Sequence, residues 1–203
     1  MHIYSSIKEI VDPAHTTLVV WDVQNELVNR SFNKPEFLKN LKILLAEARK
    51  CKLPIIYTRI TPLPKGFESS FQTYMQMKRM GITDPAKLPS TMQPGSLESE
   101  IYSEVAPLPA EVVLNKYTPS IFVGTHFEYL MRNRGITTIL FSGISTETGI
   151  SASARDSSNR GFYTVVVGDC VSSMDGEAHQ AELKILNKVC LVLSSADIMK
   201  EWA

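Results

Sequence analysis

The sequence predicts an α/β fold, a parallel sheet layered between helices, and three observations carry that prediction. Six short apolar runs rich in β-branched residues recur along the chain. Their hydrophobicity is continuous rather than alternating, as in strands covered on both faces. Helical patterns lie between them, as right-handed βαβ units require. At 203 residues, 44% hydrophobic and 21% charged, the chain is long enough for one well-buried core, so one domain over 1–203 is expected.

The strand candidates are TTLVVWD (16–22), LPIIYTR (53–59), EVVLNK (111–116), TTILFSG (137–143), FYTVVVGD (162–169) and VCLVLSS (189–195). Between the first two, Phe37, Leu38, Leu41, Leu44, Leu45 and Ala48 share one helical face, with Asn33 as candidate cap and Pro35 in the first turn. GTHFEYLMRNRG offers Phe127, Leu130 and Met131 before Gly135. DGEAHQAELKILNK offers Ala178, Ala181, Ile185 and Leu186 behind a candidate Asp175 cap. The stretch from Pro62 to Pro109 holds seven prolines and four methionines, with helical periodicity only in FQTYMQMKRM. A long irregular connection of this kind is commonly a lid or an interface.

With 21 basic and 21 acidic residues the formal charge is zero, so no overall field favours nucleic acid or an anionic membrane. A small molecule and another copy of the chain, as a dimer or tetramer, are the expected partners. Cys51, Cys170 and Cys190 show no CxxC spacing and are too scattered for a disulfide framework, which suits a reducing cytoplasm. MHIYSSIKEIVDP lacks the basic start and apolar core of a signal segment, and no apolar run approaches the roughly 18 residues of a membrane span.

The candidate chemistry gathers at strand ends. GISTETGISASARD (143–156) breaks an apolar strand into glycines and small hydroxyl residues where a helix starts, and unpaired amides point outward at such a turn. Asp22 ends the first strand, where an acid after LVVW carries a desolvation cost unless the site uses it; a carboxylate bonded to loop amides is the alternative. Lys116 ends EVVLNK, as a site residue or a solvated lysine. Asp169 closes VVVGD as a site residue or a helix cap. His2, His15, His126 and His179 lack metal-binding spacing, and His126 and His179 suit helix surfaces. GISTETG is neither a GxxxxGK[ST] phosphate loop nor a GxGxxG fingerprint. Of the cysteines only Cys170 lies near a strand end, as a nucleophile or a small buried hydrophobe.

VVWDVQNELV and the stretch from NKYTPSIFVGTHFEYL through GISTETGISASARDSSNRGFYTVVVGDCVSS strongly resemble the isochorismatase-like hydrolases, the cysteine hydrolase superfamily that includes nicotinamidases and N-carbamoylsarcosine amidases. The resemblance implies a three-layer α/β/α, Rossmann-like fold with a six-stranded parallel sheet. It puts the Asp of the amidase Asp, Lys and Cys triad at Asp22 and the Lys at Lys116. The cysteine position falls on Gly149. It also implies a cis peptide before Ser145 and an oxyanion hole from the Ser145 and Gly149 amides. On this reading glycine keeps the amide and loses only the thiol, so a cysteine restored at 149 should be reactive.

Family members that hydrolyse isochorismate similarly carry glycine there, and protonate an enol ether instead of forming an acyl-enzyme. Asp22 is then the proton donor. An isolated aspartate, with a pKa near ~3.9, needs an apolar pocket to raise it against the effect of Lys116. The nicotinamidase metal site needs an Asp and His cluster where this chain reads YTRITPLPKGFESS, so no metal and no cofactor are expected. Isochorismate hydrolases usually place a glutamine after the equivalent strand, where Ile60 and Thr61 stand here. The expected function is a cytoplasmic small-molecule hydrolase, with Gln24, Tyr57 and Phe122 around the substrate. Two alternatives stay open: a non-catalytic binding or assembly member, and an amide or ureide hydrolase using Cys170.

Overall fold

A computed structural model describes residues 3–203; His2 lies outside them. Six parallel strands form one sheet in the order β3-β2-β1-β4-β5-β6. They are β1 (Thr16–Trp21), β2 (Ile55–Ile60), β3 (Val112–Lys116), β4 (Thr138–Ile144), β5 (Tyr163–Ser172) and β6 (Leu191–Leu193). The helices are α1 (Ile7–Ile10), α2 (Asn25–Asn29), α3 (Lys34–Lys50), α4 (Ser70–Met80), α5 (Phe127–Asn133), α6 (Ser151–Asn159), α7 (Gly176–Leu186) and α8 (Ser195–Glu201). Strand order reverses between β1 and β4, the place where open α/β sheets bind ligands at their carboxyl ends.

The central strands β1, β2, β4 and β5 are continuously apolar because both faces are covered; at the sheet edges the expectation fails, and Val112, Val113 and Leu191 are exposed on β3 and β6. Leu18, Val20, Ile55, Tyr57, Leu140, Val165 and Val167 face α3 and α8, through Leu41, Leu45 and Ile198 among others. Alternate residues Val19, Trp21, Ile56, Ile139, Phe141 and Val166 face α5, α6 and α7, through Phe127, Met131, Ala154 and Leu186. The expected face of α3 is buried residue for residue, and Pro35 sits in its first turn. Asn33 makes no side-chain cap; its Oδ1 instead accepts from Ser172 Oγ at 2.5 Å.

Two expectations are corrected on the β5–α7 side. β5 runs ten residues, through Ser172, so Asp169 and Cys170 lie within the strand rather than at its end. Asp169 accepts from the Ser195 N–H and Oγ, tying the start of α8 to the sheet. On α7 the Asp175 cap forms, but Ala181 and Ile185 are exposed and the inward residues are His179 and Leu186. His179 is buried because Thr146 Oγ1 meets its Nδ1 at 2.8 Å and Phe32 packs on its ring. Burial holds its pKa below the ordinary histidine value.

The connection from β2 to β3 carries α4, capped by Ser69 and ended by left-handed Gly81, with no buried residue of its own. Its last part is pinned. Ile101 bridges Gln24, the Tyr102 N–H donates to the Val23 carbonyl at 2.9 Å, and the Asn25 N–H to the Glu100 carbonyl at 2.9 Å. Among the described residues no helix is long and apolar enough to cross a membrane.

Candidate active site

Four strands deliver the site at their carboxyl ends. Asp22 follows β1, Thr58 lies near the end of β2, Lys116 closes β3, and the turn of Ser145 to Gly149 follows β4. Asp22 takes a left-handed φ of 47°, a conformation that costs a non-glycine residue about 1–3 kcal/mol and persists where its surroundings over-determine it. Those surroundings are specific. Asp22 Oδ2 accepts from Lys116 Nζ at 2.6 Å, Oδ1 accepts from Thr58 Oγ1 at 2.5 Å, and the Asp22 N–H donates to Thr58 Oγ1 at 2.9 Å. Neither charged side chain has any exposure.

Burial dominates the electrostatics of the pair. It raises the Asp22 pKa against the opposing pull of Lys116 and Thr58, and lowers that of Lys116 against Asp22. The two values move toward each other, so a proton passes between the groups at lower cost than between separate residues in water. Lys116 Nζ also donates to the Thr118 carbonyl at 3.3 Å and stands 3.5 Å from the centroid of the Trp21 ring.

Trp21 is the residue that sequence reasoning missed, and it corrects the account of Gly149. The Ile144–Ser145 peptide is cis, and Thr146–Ile150 form a wide turn leading into α6. A Cβ built on Gly149 would lie 1.7 Å from the Trp21 indole. Glycine therefore loses more than a thiol: the space for any side chain at 149 is filled. Gly143, at φ 117°, is constrained differently: a Cβ there would meet the Trp21 backbone carbonyl oxygen at 2.0 Å, whatever side chain residue 21 carried. The trace Trp21 leaves in the sequence is a large aromatic at the last position of β1 together with a glycine at 149 in the turn after β4.

The three side chains expected around the substrate each have partners within the protein. Gln24 is fully buried: its Nε2 donates to the Ile60 and Ser99 carbonyls at 3.0 and 2.8 Å, and its Oε1 accepts from the Ile60 N–H at 2.8 Å. Tyr57 packs on the α3 face, its hydroxyl held by Arg49 at 3.2 Å. Phe122 packs edge-on against Phe127, with the Arg160 guanidinium over its ring. Gln24→Ala should lower stability by about 1–3 kcal/mol in urea denaturation, because it strands buried backbone groups. A loss below about 0.5 kcal/mol, together with lost ligand binding, would return Gln24 to the substrate.

A cavity of about 1000 Å³ opens at the carboxyl ends of β2 and β3, lined by Ile60, Thr61, Leu63, Tyr74, Met77 and Tyr117 among others; neither Asp22 nor Lys116 lines it. Two of its lining residues neighbour Lys116 along the backbone: Ile60 is its register partner on β2 and Tyr117 follows it in the chain. The cavity's outer wall includes α4, the one part of the long connection in which the sequence shows helical periodicity. Cys170, by contrast, is fully buried in the α3-side core, and burial pushes its thiol far above the ordinary value. It cannot serve as an accessible nucleophile. Among the described residues no group of three or more His, Cys, Asp or Glu side chains is placed to hold a metal ion.

Comparison with known proteins shows the family and the fold. The chain is 32% identical over 160 residues to the maleamate amidohydrolase of Pseudomonas putida, covering 78% of this chain and 70% of that protein. It is 25% identical over 190 residues to the ureidoacrylate amidohydrolase of Methylobacterium radiotolerans, covering 85% and 73%. An isochorismatase family protein from Burkholderia thailandensis superposes with a TM-score of 0.75 at 25% identity, over 93% of this chain and 96% of that one. Residues 16–198 match the isochorismatase domain, and the chain belongs to the isochorismatase family of hydrolases.

Proposed function

We propose that this chain hydrolyses a small molecule without a covalent intermediate, that Asp22 is the proton donor, and that the substrate is an enol ether of the isochorismate type. One observation carries the reading. The Trp21 indole stands where a nucleophile at 149 would have to be, beside a carboxyl that burial biases toward its protonated form. The two amidohydrolases this chain resembles act on amides, which ordinarily call for a strong nucleophile. An enol ether does not: Asp22 protonates the methylene carbon, water adds to the resulting oxocarbenium carbon, and the C–O bond breaks to give a ketone and an alcohol. The proton shed by water restores Asp22.

Lys116 holds the carboxyl by its 2.6 Å contact and balances its charge once the proton has left. The Ser145 and Gly149 amides, at the turn entering α6, are assigned to an anionic group of the substrate. A panel of isochorismate, maleamate, ureidoacrylate, nicotinamide and N-carbamoylsarcosine tests the proposal. Pyruvate should be released from isochorismate, with ammonia release from the amides at least roughly 10²-fold slower, the scale of one missing catalytic group. Faster amide turnover would sink it. The sealing of Asp22 and Lys116 favours one other reading, a ligand-binding member; panel compounds would then raise the melting temperature with none turned over.

A further inference from the structure

We propose that Trp21 is the specificity-determining residue of the site: its indole takes the space of a side chain at 149 and lies against the Lys116 ammonium, so the size of residue 21 decides whether this pocket can hold a nucleophile. The inference rests on the non-covalent reading above and deepens it. Trp21 is 3% exposed, and three of its ring atoms lie within 2.2 Å of the position a Gly149 Cβ would take. On the Lys116 side its ring receives Nζ at 3.5 Å, a cation–π contact in a desolvated setting. Packing alone does not account for a tryptophan here. Its Nε1 is buried with no hydrogen-bond partner among the described residues, whereas a buried indole N–H ordinarily finds one.

The coupling is reciprocal. With Trp21 present, even one methyl group at 149 collides with a ring wedged between β1 and the start of α6. With a small residue at 21, a side chain at 149 would enter the same space, at a helix start and close to Lys116, where thiolate is favoured. The enzyme's class is thereby set by a strand residue that performs no proton transfer itself.

The test uses the full chain and needs no substrate. Gly149→Ala and Gly149→Cys are made alone and together with Trp21→Val, and melting temperatures are compared with alkylation of position 149 by iodoacetamide, mapped by mass spectrometry. Each single change at 149 should lower the melting temperature by roughly 4–12 °C, or prevent folding, as overpacking of a core does. Adding Trp21→Val should recover at least about half of that loss. The cysteine of the double variant should react at neutral pH roughly tenfold faster than free cysteine, because its pKa falls beside Lys116. Gly149→Ala within about 2 °C of the wild type, no recovery on adding Trp21→Val, or a thiol at 149 no more reactive than free cysteine would each overturn the proposal. Amide turnover by the unaltered chain would overturn the enol-ether reading and leave these steric results standing, so the two failures are distinguishable.

Discussion

Asp22→Asn is expected to lower turnover of the panel substrate by roughly 10²-fold or more, the usual scale for losing a positioned acid. Asparagine keeps the shape of the side chain and its reach to Thr58 and Lys116, so the fold survives while the proton donor is lost. The pH profile separates this from a packing defect. In the unaltered enzyme donation needs the protonated carboxyl, so kcat/KM falls as pH rises through the Asp22 value, which burial raises above the ordinary carboxylate range. The Asn variant lacks that limb. Its stability acquires a new one: without its anionic partner, buried Lys116 is held further below the ordinary lysine value. A depressed folded-state value contributes stability that is lost as pH falls through it. Turnover within about threefold of the wild type, or an unchanged alkaline limb, would remove Asp22 from the mechanism.

Lys116→Met should destabilise the protein by about 3–5 kcal/mol near neutral pH, because it leaves a buried carboxylate without its partner. The sign of the pH dependence is fixed. With the ammonium gone, burial raises Asp22 further, and a raised folded-state value gives stability that is present below the unfolded value and lost as pH rises through the folded one. The deficit should therefore be small near the unfolded aspartate value of about 3.9 and largest above neutrality. Urea unfolding of variant and wild type at several pH values reads it directly. A pH-independent loss below about 1 kcal/mol would mean the pair is not closed off from water as the geometry requires.

Much of this architecture was legible in the sequence because parallel strands buried on both faces leave a local record. TTLVVW and TTILFSG are apolar without alternation, and Asp22 and Lys116 stand out as charges attached to such runs. Residues whose role depends on what lies opposite were not legible. Tyr57, Gln24 and Phe122 sit close in sequence to site residues, yet the sheet turns Tyr57 to the α3 face, and backbone groups of Ile60 and Ser99 take up Gln24. His179 reads as a helix-surface residue until Thr146 approaches from a turn 33 residues away. Trp21 belongs to the same class: alone it is one more apolar letter of a strand, and its meaning emerges only when it is set against the missing Cβ of Gly149.

The pinning of residues 97–102 to the loop after β1 divides the long β2–β3 connection into two mechanical regimes. Gln24, two positions after Asp22, bonds both the last residue of β2 and Ser99, so the anchored end moves only if the loop bearing the acid moves. The outer stretch from Pro62 to Gln93, which walls the cavity, hangs between fixed ends and carries a helix with no buried residue of its own. It can be lengthened, shortened or exchanged at the entropic cost of a loop, which rises only by about 0.6 kcal/mol per doubling of length. The outer stretch is thus mechanically separable from the buried Asp22–Lys116 pair, whose own tolerances are set by the strands that carry it.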